Sequence, residues 1–181
     1  MNQTMNVEKR NGEKEEVSFD KVLRRIQRLS TGLTINTTLI AQKVCSQIFD
    51  GVKTRQLDDL ASQNAMSMIT THPDYAVLAA RISISNLHKE TSNSFYEVME
   101  RLYQYTDVQG KHSPLIDRRL YEILQNEENR QRIEEAIDME RDYELDFFGF
   151  KTLCRSYLMK INGVIQERPQ YMWMRVSLGI H

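Results

Sequence analysis

The chain has 181 residues, 40% hydrophobic and 27% charged, a composition that fits one soluble domain or two small ones and excludes a disordered chain. A formal net charge of -1 gives no global attraction to polyanions, so nucleic acid is not an expected partner and phosphate recognition has to come from a local cluster. The opening residues lack the apolar core of a signal peptide, and no apolar run approaches the ~20 residues of a membrane span, which points to a cytoplasmic protein without a membrane partner.

The first signal along the chain is VEKRNGEKEEVSF, two short arms with apolar residues at Val7, Val17 and Phe19 around Asn11-Gly12. That dipeptide predicts a hairpin with a type I′ turn, since both positions tolerate positive φ. An isolated hairpin is marginal in water, so it has to be held by a helical core, a ligand, or both. Ser18 or Asp20 is the expected N-cap of a first helix carrying Val22, Leu23, Ile26 and Leu29, stopped by Gly32. A second helix is predicted from about Thr37 or Thr38, with Leu39, Ile40, Val44, Ile48 and Phe49 on one face. A third follows Thr54, with Leu57, Leu60, Ala61, Ala65 and Met68, and ends at His72-Pro73. Pro73 then fits the first turn of a fourth, which carries Tyr75, Leu78, Ile82 and Leu87.

A polar break, TSNS, follows this compact unit. Beyond it lie a helix with Phe95, Val98, Met99 and Leu102, a KHSP turn, and two highly charged helical stretches. SYLMKINGVIQERP predicts a second hairpin turning at Asn162-Gly163, and Pro169 opens a final helix. Met172, Trp173, Met174, Val176 and Leu178 make that helix apolar enough to need a further surface to bury against. The fold expected is mainly α with small β, divided into residues 1–92 and 93–181.

No catalytic or metal constellation emerges. Cys45 and Cys154 stand far apart outside any CxxC pair, and His72, His88, His112 and His181 show no ligand spacing. Arg155 beside Cys154 is the sole feature that would lower a thiol pKa. Binding chemistry is better represented. Lys9 and Arg10 lie on the hairpin, Lys21 falls in the first turn of helix one, and Lys89 ends helix four. Helix starts favour phosphate through free N–H donors and the dipole. Thr54 and Asp58 stand one turn apart at the start of helix three, where the carboxylate could accept from a sugar hydroxyl. If the helices form a bundle capped by the hairpin, these groups could converge on one nucleoside triphosphate; the pattern alone fits an ordinary charged surface better.

VEKRNGEKEEVSFDKVLRRI resembles the opening of an ATP-cone, the nucleotide-sensing module at the N-terminus of many ribonucleotide reductases, and HPDYAVLAARISISNLHKET is similar to its last helix in the eukaryotic-type class I large subunit. GKHSPLI, DYELDFFGFKTL and ERPQYMWMRVSLGIH continue the match in order. The resemblance implies a small sheet capping a four-helix bundle, followed by a helical segment with one hairpin. It implies that ATP or dATP, with Mg2+, binds through Lys9, Arg10, Glu15, Glu16, Val17, Ser18, Phe19, Asp20, Lys21, Thr54, Asp58 and Lys89. Of these, the lysines would face phosphate, Asp58 the ribose and the hairpin backbone the adenine. ATP would activate, dATP would inhibit, and the inhibited state would self-associate through the cones.

The family's catalytic barrel, with its redox cysteine pair and radical-bearing cysteine, would follow His181. The resemblance therefore implies a piece of a longer chain, inactive alone, whose partners are the rest of the large subunit and a radical-generating small subunit. The alternative is a free-standing cone-bearing regulator. Such repressors carry a zinc ribbon, and the CxxC pairs for one are absent from this sequence.

Overall fold

The computed structural model describes residues 5–180. Compact packing divides the chain between Asn86 and Leu87, inside a continuous helix, into two units.

The first unit opens with strands β1 (Asn6–Glu8) and β2 (Lys14–Glu16), antiparallel, with Glu8 opposite Lys14. The connecting turn differs from the expected type I′. Asn11 does not adopt positive φ, whereas Gly12 does, at 83°. Lys9 N–H donates to the Glu13 carbonyl at 2.8 Å and Gly12 N–H to the Lys9 carbonyl at 2.9 Å. This is a three-residue loop closed by a glycine in the left-handed region. Asn11 contributes its side chain instead of its backbone, its Oδ1 accepting from Glu13 N–H at 3.1 Å. A third strand that the sequence did not disclose, β3 (Val52–Lys53), pairs parallel to β1. It buries Val52 completely beside Val7.

Helix α1 (Phe19–Leu29) is capped by Ser18, and α2 (Thr37–Ser46) by Asn36, one residue before the expected threonines. The second helix stops at Ser46, so Ile48 reaches the core from the following loop while Phe49 is exposed. The physical cause is the third strand, which draws the chain out of helical geometry. Helix α3 (Thr54–Ser67) starts with the Gln56 side chain accepting from Lys53 N–H at 3.0 Å. Helix α4 (Asp74–Glu90) follows directly on Pro73. Ile26, Ile40, Val44, Ala65, Leu78, Ala79 and Ile82 form the core between them. Two buried hydroxyls, Ser62 on α3 and Ser83 on α4, bond each other at 2.8 Å, which fixes the register of that helix pair.

The second unit contains α5 (Phe95–Tyr103), α6 (Arg118–Gln125), α7 (Glu127–Ala136) and a 3-10 segment (Met139–Glu144). Helix α8 (Phe147–Ser156), which sequence patterning passed over, is capped by Asp146. Strands β4 (Lys160–Ile161) and β5 (Val164–Ile165) form the expected hairpin, and here the turn has positive φ at both Asn162 (50°) and Gly163 (79°). Helix α9 (Pro169–Ile180) packs Tyr171 into a core of Phe95, Val98, Met99, Leu102 and Leu124. Trp173 and Ile180 remain exposed.

The ERPQY stretch ties this unit together. Glu167, fully buried, accepts from Met159 N–H at 2.8 Å and from both arms of the Arg175 fork at 2.8 and 2.9 Å. Arg168 donates to the carbonyls of His88 (3.0 Å) and Thr91 (3.1 Å), satisfying the C-terminal end of α4. Gln170 N–H, at the start of α9, donates to Asp142 at 3.0 Å, and the same buried carboxylate meets His88 Nε2 at 2.7 Å. Removing one partner of a buried ion pair strands the other charge, so Glu167→Ala should lower stability by about 3–5 kcal/mol. Urea unfolding followed through Trp173, the chain's single tryptophan, measures it directly.

Candidate functional site

The hairpin turn delivers Arg10 to the helices of the first unit. Its guanidinium donates to Asn86 Oδ1 on α4 and stands 3.7 Å from Asp58 Oδ2 on α3. Asp58 is 7% exposed and also accepts from Arg25 on α1, from Nε to Oδ1 at 3.2 Å and from Nη2 to Oδ2 at 3.3 Å. Arg25 Nη2 donates further to Ser85 Oγ at 3.0 Å. Asn86 Nδ2 donates to Asp59 Oδ1 at 3.3 Å. Hairpin, α1, α3 and α4 are thereby joined through one polar cluster.

A second charged group lies along the hairpin itself. The Glu15 carboxylate sits between two ammonium groups, Lys9 at 2.8 Å and Lys21 in close contact. Lys9 also reaches Glu13 at 3.6 Å. The Glu13 carboxyl is held below its ordinary value by hydrogen bonding with Asn11 and by the charge of Lys9. Ser18 Oγ accepts from Lys21 N–H at 3.4 Å, so the first-turn lysine rides on a capped helix start.

The twelve residues singled out from sequence are thus distributed unevenly. Arg10 and Asp58 meet directly, and Lys9, Glu15 and Lys21 form the adjoining ionic group. Thr54 is half-buried in the first turn of α3. Val17 and Ser18 are half-buried between β2 and α1, whereas Glu16, Phe19 and Asp20 are exposed. Lys89 is exposed in the last turn of α4, one helical turn beyond Asn86. Sequence reasoning missed Arg25, Asp59, Ser85 and Asn86. The available signal for two of them was the polar pair Ser85-Asn86 breaking an apolar helical stripe, and Arg25 lies one turn after Lys21 on the same helix.

The cysteines do not offer reactive thiols. Burial raises Cys45 and pushes Cys154 up to about 11, against the weaker pull of Lys151 and Lys160. The lowering expected from Arg155 is not seen; desolvation disfavours the thiolate more than Lys151 and Lys160 favour it. Among the described residues no group of three or more His, Cys, Asp or Glu side chains could hold a metal ion. His181 lies outside them.

The charged hairpin is clasped to a helical bundle through arginine–carboxylate pairs on the buried Asp58, and the residues that build this arrangement, 5–90, match the ATP cone domain. Residues 143–181 match the ribonucleotide reductase all-alpha domain. Ribonucleoside-diphosphate reductase large subunits from Danio rerio and Arabidopsis thaliana are 51% identical over 181 residues and 49% identical over 181 residues, each alignment covering 98% of this chain and 22% of the relative. Large chain 2 from Saccharomyces cerevisiae is 48% identical over 181 residues, covering 98% of this chain and 21% of the relative. Over nearly its whole length the chain is similar to the N-terminal region of ribonucleoside-diphosphate reductase large subunits, as the sequence resemblance implied. It spans about a fifth of the length of the curated relatives it matches.

The raised thiol of Cys154 has a measurable consequence. A thiol whose folded pKa exceeds its unfolded value favours the fold while protonated. That contribution is full below 9.0, the ordinary thiol value, and is lost as pH rises toward about 11. Tyr171, pushed up to about 12 by burial, adds a further loss from about 10 upward. Unfolding midpoints should fall steadily between pH 9 and 12. Cys154→Ala should flatten the lower part of that fall while leaving the upper part.

Proposed function

We propose that residues 1–92 form the allosteric sensor of a ribonucleoside-diphosphate reductase, the enzyme that reduces ribonucleoside diphosphates to deoxyribonucleotides for DNA synthesis. The effectors are ATP and dATP, carried with Mg2+ on the triphosphate. Lys9, Arg10, Lys21 and Lys89 bind phosphate, with Thr54 at the helix start. Asp58 faces the ribose, and the strand and turn from Glu15 to Asp20 cover the base. Residues 93–181 lead into the catalytic part of the large subunit. The full enzyme works in the cytoplasm with a radical-generating small subunit and self-associates through its cones when dATP is bound. No helix among the described residues is long and apolar enough to cross a membrane.

The observation that carries this reading is the joining of the cone's hairpin to α1, α3 and α4 through Arg10, Arg25 and Asp58, within the segment that matches the ATP cone domain. It favours the sensing portion of a reductase over a free-standing regulator because the likeness to large subunits runs on to the end of the chain.

Each lysine–phosphate contact is a charge-assisted hydrogen bond worth roughly 1.5–3 kcal/mol. Lys9→Ala or Lys89→Ala should therefore weaken ATP binding about tenfold to a hundredfold. Lys14→Ala should do far less, since Lys14 is exposed beyond the turn. Asp58→Asn should change the ATP-to-dATP affinity ratio more than the affinity they share. Calorimetry with both nucleotides decides it, and equal, small losses for Lys9, Lys14 and Lys89 would return these lysines to an ordinary charged surface.

The 181-residue chain by itself should show no thiol-dependent reduction of a ribonucleoside diphosphate. Its two cysteines lie in separate units and burial raises both. Turnover should require a polypeptide carrying the barrel cysteines together with the small subunit; turnover by this chain alone would contradict the assignment.

A further inference from the structure

We infer that Arg25 is a positioning residue for nucleotide discrimination, holding the Asp58 carboxylate in the orientation that reads the sugar. The inference rests on the nucleotide site proposed above. ATP and dATP differ by one hydroxyl, so telling them apart requires a polar group held to within hydrogen-bond tolerance of the sugar. A carboxylate rotates easily about its two side-chain torsions. Asp58 is buried, and a buried carboxylate takes its orientation from the cations that neutralise it.

Arg25 engages both Asp58 oxygens, at 3.2 and 3.3 Å, which sets the plane of the carboxylate as well as its place. The guanidinium is in turn anchored by its 3.0 Å bond to Ser85, a side chain buried on α4. The backbone behind it is fixed too, since the next residue, Ile26, is 1% exposed in the core. Arg10 approaches the same carboxylate from an exposed turn, at 3.7 Å. The two arginines therefore divide the work. Arg25 belongs to the immobile floor of the site, and Arg10 belongs to the element that covers it. A lysine in place of Arg25 keeps the charge but cannot supply two parallel donors and the third bond to Ser85.

The test measures ATP and dATP dissociation constants by calorimetry on the 181-residue chain and on Lys9→Ala, Asp58→Asn, Arg25→Lys, Ser85→Ala and the Asp58→Asn/Arg25→Lys double variant. Thermal unfolding of each serves as the folding control. Arg25→Lys should shift the ATP-to-dATP ratio about three- to tenfold, the scale of one hydrogen bond, in the same direction as Asp58→Asn. Ser85→Ala should shift it in that direction by less, and it carries the test if Arg25→Lys does not fold. The double variant should shift the ratio no further than Asp58→Asn alone, because the arginine acts through the carboxylate.

An unchanged ratio in Arg25→Lys and Ser85→Ala, or shifts that multiply in the double variant, overturns the inference while Lys9→Ala still reports a working site. Failure of the wild-type chain to bind either nucleotide, or indifference of both affinities to Lys9→Ala, overturns the site itself and the inference with it.

Discussion

A carboxylate cannot stay buried and charged without a cation against it, because the desolvation of an unpaired ion costs several kcal/mol. Asp58 imposes that condition on the first unit. Its partners come from α1 and from the hairpin turn, so meeting the condition also decides where those two elements lie. The hairpin has a three-stranded sheet with only a few residues per strand, too little to be stable alone. The arginine that leaves its turn for Asp58 and Asn86 ties it to the helices.

The second unit meets the same condition in a different way. Asp142 and Glu167 are both fully buried, and each is satisfied from several directions by side chains and backbone N–H groups. Nothing in that network leads to an exposed cationic turn. It serves as scaffold, closing the end of α4 with Arg168 and starting α9 on Asp142. The contrast is in the surroundings of the buried charge. Asp58 is paired partly by a side chain from an exposed turn, whereas Glu167 is paired by Arg175 on an adjoining helix turn.

What patterning reveals depends on how local the cause is. Helix starts at Ser18 and Asp146 follow from the chemistry of one or two side chains. Asn-Gly occurs twice and gives two different turns. At residues 162–163 the flanking strands pair right up to the turn and demand positive φ at both positions, whereas at 11–12 the turn begins two residues earlier. Phe49 was placed on a helical face by its spacing, but the chain had already left the helix to form β3.

By itself the sequence determined the helical periodicity, the two hairpins, the compact first unit and the cationic residues of the hairpin, because each of these is written in residues near one another. The resemblance to reductase large subunits followed from long motifs such as DYELDFFGFKTL and ERPQYMWMRVSLGIH. Only the tertiary structure decided that Arg25, thirty-three positions from Asp58, would clasp it, that Ser85 would meet Arg25 and Asn86 the hairpin's Arg10, and that β3 would complete the sheet. Pairings of that kind join distant parts of the chain. They arise where packing of the apolar faces leaves a buried polar group to be neutralised, and the sequence carries no local sign of which distant partner will do so.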